Sequence, residues 1–244
     1  MRRSAGEIYG WRLGDKVTVR HWITCAWAVF RKDVQVELRT RLALGAVLLF
    51  AVTTLIAVSA ALSSAKVHSE VKAALLWIVL LFAALSGLAR VFVREEEAGT
   101  APLLRLYAPA TAVYAGKWLF NIALLFAVEA VSVPLFLIVL PPDVVNFGLL
   151  FGVLILGGVG LSGAATFIAA LIAQASSGKS ALFFIVAFPV LLPLLLIAVQ
   201  GTIGSFSSLT FDQTRSRSDL GLLASYGLVM TTTSFLLFEY IWHD

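Results

Sequence analysis

The sequence predicts an all-α integral membrane protein. It has six transmembrane helices, an N-terminal interfacial helix, and a short helix outside the bilayer between spans two and three. Three observations predict this class. Of 244 residues, 60% are hydrophobic and 13% charged, whereas about a quarter are charged in soluble domains. The apolar residues come in blocks of about twenty, the length that crosses a ~30 Å hydrocarbon core. Within each block they do not alternate with polar residues, as the strands of a membrane barrel require.

Residues 1–41 read as a cytoplasmic tail and interfacial helix, and 42–244 as one six-span domain. The first 41 residues are basic and mixed, without the early apolar run of a cleavable signal peptide. Between His21 and Arg39, the residues Ile23, Trp27, Phe30, Val34 and Leu38 recur at spacings of three and four, which places them on one helical face. Arg31, Lys32, Gln35 and Arg39 fall largely elsewhere. An amphipathic helix with tryptophans and cations suits the lipid headgroup layer; a helix packed on a soluble partner is the alternative.

Spans are expected near residues 42–62, 71–93, 118–140, 147–173, 181–200 and 220–241. Six crossings put both termini on one side. With that side inside, the inner segments hold fourteen of the eighteen Lys and Arg residues and the outer loops hold four. This positive-inside pattern makes both termini cytoplasmic, and the expected location is a bacterial inner membrane.

Residues 94–109, REEEAGTAPLLRLYAP, organise the cytoplasmic side. A charge at mid-bilayer costs roughly 2.5–3.5 kcal/mol, so Arg94, Glu95, Glu96 and Glu97 force the chain out of the membrane. Gly99 and Thr100 break it. Thr100 is expected as the N-cap of a new helix with Pro102 in its first turn. Leu103, Leu104, Leu106 and Tyr107 then form a short apolar helix that Pro109 stops. An exposed apolar face of this kind normally has a partner; a loop helix folded on the membrane surface is the other reading.

Span four is rich in small residues, including Gly148, Gly152, Gly157 and Gly160. Such residues let helix backbones approach closely in lipid. Span five carries Pro189 and Pro193 one turn apart, which predicts a kink; a hinge and a static bend both fit. Glu129 falls near the centre of span three. A buried acid there needs a partner, a water-filled cavity or a proton, so it is a functional candidate, with a packing role as the alternative. Residues 201–219 are polar and rich in Ser and Thr, with Phe206, Leu209 and Phe211 interleaved; an outer segment or a partly re-entrant cap is expected.

No catalytic set is visible, and an enzyme is not expected. The run Ser176-Ser177-Gly178-Lys179-Ser180 ends like a phosphate-binding loop, but Ala173 stands where its first glycine belongs and no strand precedes it. Any driving ATP is therefore expected on another chain. The single cysteine, Cys25, gives no disulfide or metal motif. His21, His68 and His243 lie at span ends. Only His68 is placed to meet a ligand on the outer side, and a solvated loop histidine is the simpler reading. No metal site and no nucleic-acid partner are expected.

Several pieces carry a resemblance. Lys32-Asp33 and Glu37-Leu38-Arg39 precede the first span, and Trp77 stands early in the second. Arg90-Val-Phe-Val-Arg-Glu-Glu-Glu-Ala-Gly99-Thr100 ends that span. Leu106-Tyr107-Ala108-Pro109 and Gly116-Lys117 follow, then Leu156-Gly157 and Phe188-Pro189-Val-Leu-Leu-Pro193. In order and spacing the chain resembles the CcmB family, the permease subunit of the cytochrome c maturation haem exporter. Ala101-Pro102 departs from the Leu-Glu frequent in that family, and the N-terminal tail is longer than the family's. The resemblance implies a permease paired with a second copy of itself on two ABC ATPase subunits, with haem-handling maturation membrane proteins alongside. It implies no stably bound cofactor, with haem as a transported or handled ligand.

The expected function is a non-catalytic membrane subunit that couples a partner ATPase to haem delivery or to release of a haem-loaded chaperone. Glu95, Glu96, Glu97, Gly99, Thr100, Leu103, Leu104, Arg105, Tyr107 and Pro109 form the expected coupling site, with Leu103, Leu104 and Tyr107 as anchors. Two alternatives stay open: a general exporter permease for another cargo, and a membrane scaffold that transports nothing.

Overall fold

The computed structural model describes residues 19–62, 67–88, 92, 95, 99–173 and 179–243. Among these the chain forms α1 (Val19–Thr40), α2 (Leu42–Leu62), α3 (Ser69–Leu88), α4 (Ala101–Tyr107), α5 (Ala110–Val139), α6 (Phe147–Ala173), α7 (Lys179–Phe206) and α8 (Thr210–His243). No strand occurs among the described residues. Six helices, α2, α3, α5, α6, α7 and α8, are long and apolar enough to cross a membrane. The protein is an all-α, multi-pass membrane protein.

Helix α6 is the hub, packed against α8, α7, α5 and α3. Its glycines explain how one helix serves so many neighbours, because missing side chains let other side chains in. A Cβ at Gly157 would sit 2.3 Å from Trp77 Cη2 on α3. One at Gly158 would sit 2.7 Å from Glu129 Oε1 on α5, and one at Gly160 would sit 2.6 Å from Leu194 Cδ1 on α7. The three glycines thus receive side chains from three different helices. Gly152 faces Leu220 on α8, and Gly148 lies exposed beside Asn146.

Two expectations are corrected. Helix α5 begins at Ala110 instead of near 118, because Ala112, Val113 and Tyr114 are buried and extend the helix back to Pro109. Residues 201–219 are not a polar outer loop. Helix α7 runs on to Phe206 and α8 starts at Thr210, leaving residues 207–209 as the link. Gly201, Thr202 and Ser205 are buried. Their polarity is absorbed within the helix: Thr202 Oγ1 donates to the Ala198 carbonyl at 2.8 Å and accepts Trp77 Nε1–H at 2.9 Å, while Ser205 Oγ donates to the Thr202 carbonyl at 2.6 Å. Hydroxyls that bond back to their own helix need no water.

Pro189 and Pro193 both lie inside the continuous helix α7. The Pro193 ring clashes with the turn before it, and the nearby Val190 carbonyl accepts a hydrogen bond from the Tyr226 hydroxyl of α8.

Helix α1 presents two faces. Its buried face is Ala26, Val29, Asp33 and Glu37, packed against α5. Gly116 permits this approach: a Cβ there would lie 2.6 Å from the Ala26 carbonyl oxygen. Trp22 Nε1 donates to Thr111 Oγ1 at 2.9 Å. The expected apolar stripe is split: Ile23, Trp27 and Leu38 point outward, each more than half exposed, whereas Phe30 and Val34 are half-buried and pack against the cluster of Phe92, Phe238 and Trp242. The chain turns from α1 into α2 at Arg41, whose φ of 53° lies in the left-handed region. Glu37 Oε1 accepts the Leu44 amide at 2.8 Å, satisfying a donor in the first turn of α2.

Candidate functional site

Among the described residues, four charged side chains form a cluster at the base of α4. Lys117 Nζ, from α5, lies 3.0 Å from Asp33 Oδ2 of α1 and 2.7 Å from Glu95 Oε1. Lys32 pairs with Glu95 and lies 3.3 Å from Asp33 Oδ1. Two cations and two anions balance. Lys117 is almost wholly buried, so its neutralisation by both carboxylates is what permits the burial. Desolvation works against the charge on Glu95, but Lys117, with hydrogen bonds from Lys117, Lys32 and Thr100, outweighs it and holds the carboxyl down at about 2. Desolvation likewise opposes the Lys32 charge, and Asp33 and Glu95 push its pKa up regardless.

This cluster anchors the start of α4. The Thr100 amide donates to the Glu95 carbonyl at 3.0 Å, and the Thr100 hydroxyl donates to the Glu95 carboxylate. Thr100 stands at the N-cap position as expected, but its side chain makes no cap bond because it is committed to Glu95. Gly99 has φ of 66°, the left-handed conformation that glycine adopts without a Cβ penalty. Pro102 occupies the first turn, where its missing N–H costs nothing. The Ala108 amide closes the helix on the Leu104 carbonyl at 3.1 Å, and Pro109 stands at the N-cap position of α5.

The two sides of α4 differ sharply. Leu103, Leu106 and Tyr107 are 56%, 76% and 73% exposed. Leu104 turns inward and packs against a cluster containing Phe92, Phe238 and Trp242. The Arg105 guanidinium stacks 5.1 Å from the centroid of the Trp242 ring, a cation–π contact. Trp242 in turn stacks on Phe238 at 5.3 Å and meets Phe92 edge-on at 6.1 Å. Helix α4 is therefore clamped on one side and apolar and open on the other. Leu104, expected as an anchor with Leu103 and Tyr107, packs into the clamp instead, and the outward triad is Leu103, Leu106 and Tyr107. Glu96 and Glu97 lie outside the described residues.

The family model described as CcmB protein matches the chain over residues 24–234. The chain belongs to the CcmB family. No curated protein matches it. Membership suggests a permease-type membrane subunit of an ABC-type haem exporter in cytochrome c maturation. Every residue of the cluster and of α4 lies inside the CcmB match. The sequence motifs also converge in space: Lys32-Asp33, Glu95, Thr100 and Gly116-Lys117 meet at one site, and Trp77 meets Gly157 at another.

The other candidates lie apart from this site. Glu129 is buried in the middle of α5 against α6. Pro189 and Pro193 lie on α7, which packs on α6, α8 and α3. His68 is exposed before α3. Among the described residues no group of three His, Cys, Asp or Glu residues could hold a metal ion. Sequence reasoning did not single out Lys32, Asp33 and Lys117 as a unit. The available signal was a lysine and two acids at helix positions next to apolar runs, with nothing to join residues 33, 95 and 117.

Proposed function

We propose that this CcmB-family chain is the non-catalytic permease subunit of an ATP-driven haem exporter, and that α4 docks in a groove of a cytoplasmic ATPase. One observation carries the reading: a short helix with three exposed apolar side chains is rigidly fixed at its base and along one flank. Exposed Leu103, Leu106 and Tyr107 offer anchors for a partner. Glu95, held by Lys117 and Lys32, ties the docked helix to α5 and α1, so movement of the ATPase pair is passed to the spans. The positive-inside distribution supports placing α4 and both termini in the cytoplasm, with the protein in the bacterial inner membrane. The outward stripe of α1, Ile23, Trp27 and Leu38, suits the headgroup layer. A second copy of the chain, two ATPase subunits and haem-handling membrane proteins complete the complex. Haem enters as cargo or handled ligand, delivered or released with its chaperone for cytochrome c assembly.

The test is co-purification from native membranes in mild detergent. Wild type is expected to bring down an ATPase together with haem-handling proteins, and Leu106→Asp is expected to lose the ATPase while still inserting. Undiminished ATPase recovery with Leu106→Asp and with Leu103→Asp overturns the docking assignment. An ATPase recovered without haem-handling proteins points to another cargo.

A further inference from the structure

Glu129 has no part in the coupling site, yet it is a carboxylic acid buried within the span helix α5. It is buried, and its Oε1 meets no hydrogen-bond partner among the described residues. The oxygen enters a recess that α6 opens for it, where a Cβ at Gly158 would come within 2.7 Å. The Phe126 ring walls the same recess, 3.0 Å from that Cβ position. One turn along α5, the buried Ser132 hydroxyl is also without a partner. So is Asn121 Oδ1, two turns the other way on the same helix, while Asn121 Nδ2 donates to Thr166 Oγ1 at 2.8 Å.

Among the described residues, no nearby charge answers this carboxyl. Helices α2 and α6 carry no Asp, Glu, Lys, Arg or His. Helix α3 has Glu70 and Lys72 in its first turn only. On α8, Asp212, Arg215, Arg217 and Asp219 lie near the start, and Glu239 and His243 near the end. Of the buried α1 acids facing α5, Asp33 meets Lys117 and Glu37 accepts the Leu44 amide. Twelve residues separate Lys117 from Glu129, about 18 Å along the helix. A bare carboxylate so placed is strongly disfavoured without a counter-charge or hydrogen-bond donors. A proton removes the charge and gives the carboxyl an O–H to donate.

We propose that the recess formed by Gly158, Phe126 and Glu129 is an intramembrane proton-binding site, in which the Glu129 carboxyl reversibly holds a proton. The ligand is the proton itself. The site is independent of the α4 docking surface.

Infrared spectroscopy of the full chain in lipid nanodiscs tests this. Wild type is expected to show a protonated-carboxyl stretch that shifts in heavy water and is lost in Glu129→Gln. Coincident spectra for wild type and variant overturn the proposal, as does a band that never shifts in heavy water. Should Glu129→Gln fail to insert, an apolar carbodiimide, which attacks protonated carboxyls within lipid, provides a test on the wild-type chain. An adduct mapped to Glu129 by mass spectrometry, diminishing as pH rises, is expected; no adduct overturns the site. Gly158→Ala is expected to displace the infrared band or block the adduct, and no change in either shows that the recess is not the site.

Discussion

Lys117 and Asp33, 84 positions apart in sequence, meet at 3.0 Å where α1 crosses the start of α5. The lysine is 1% exposed, and Glu95 closes on it from the other side at 2.7 Å. One ammonium therefore joins the helix before the first span, the segment leading into α4 and the third span.

Removing that ammonium leaves two buried carboxylates with only the half-exposed Lys32 between them. Lys117→Met is expected to destabilise the fold by about 3–5 kcal/mol. Lys32→Met, at a lysine whose side chain is 41% exposed, is expected to cost about 1 kcal/mol. Denaturant unfolding in one detergent, followed by circular dichroism, orders the two. An equal loss in both contradicts the central place given to Lys117.

Acid is expected to loosen α4. The Glu95 carboxyl is held down at about 2 from its ordinary 4.5. A depressed carboxyl stabilises above its unfolded value, and that contribution is lost as pH falls through the folded one. Protection of the α4 amides relative to their intrinsic exchange rate should fall between about pH 4.5 and 2, and Glu95→Gln should flatten the response. Protection unchanged across that window rules out Glu95 as the tether.

Leucines two positions apart on α4 should behave oppositely. Leu106→Asp places a charge on an exposed position and is expected to leave the melting temperature unchanged while abolishing ATPase recovery. Leu104→Asp inserts a charge into the Phe92–Trp242 cluster, with an expected loss of at least about 2 kcal/mol. Thermal melts and pull-downs run together separate the two effects.

Glycines should not respond alike to alanine. At Gly157 the new methyl would fall 2.3 Å from Trp77. Overpacking there is expected to cost about 1–3 kcal/mol, and Trp77→Leu in the same chain should recover part of it. At Gly45 nothing lies within 4 Å, and alanine should stabilise α2 by roughly 0.5–1 kcal/mol. Melting temperatures moving in opposite directions confirm the contrast.

Tyr226→Phe removes the hydrogen bond to the Val190 carbonyl beside the proline-bearing turns. The expected loss is about 1 kcal/mol, with faster hydrogen exchange confined to α7. Unchanged exchange there shows that Tyr226 does not restrain the turn.

The spans were readable in the sequence because lipid imposes length and composition on each helix alone. Helices α2 and α6 occupy 42–62 and 147–173 as predicted. What hydropathy could not supply was direction. On α1 the apolar stripe of Ile23, Trp27, Phe30, Val34 and Leu38 is the obvious face, yet only Phe30 and Val34 of it turn inward, and Asp33 and Glu37 are among the buried residues. Lys117 counts as one more inner cation in a topology sum; only the fold brings Asp33 and Glu95 to it. Residues 201–206 read as a polar loop because periodicity cannot show hydroxyls bonding to their own helix, as Thr202 and Ser205 do.

Trp242 has a consequence for biogenesis. The indole that receives Arg105 belongs to the last turns of α8. During synthesis α4 leaves the ribosome long before that ring exists. Its seat is completed only when the final helix has been made and inserted. On the proposed docking, an ATPase that selects the seated helix would meet finished chains and pass over nascent ones.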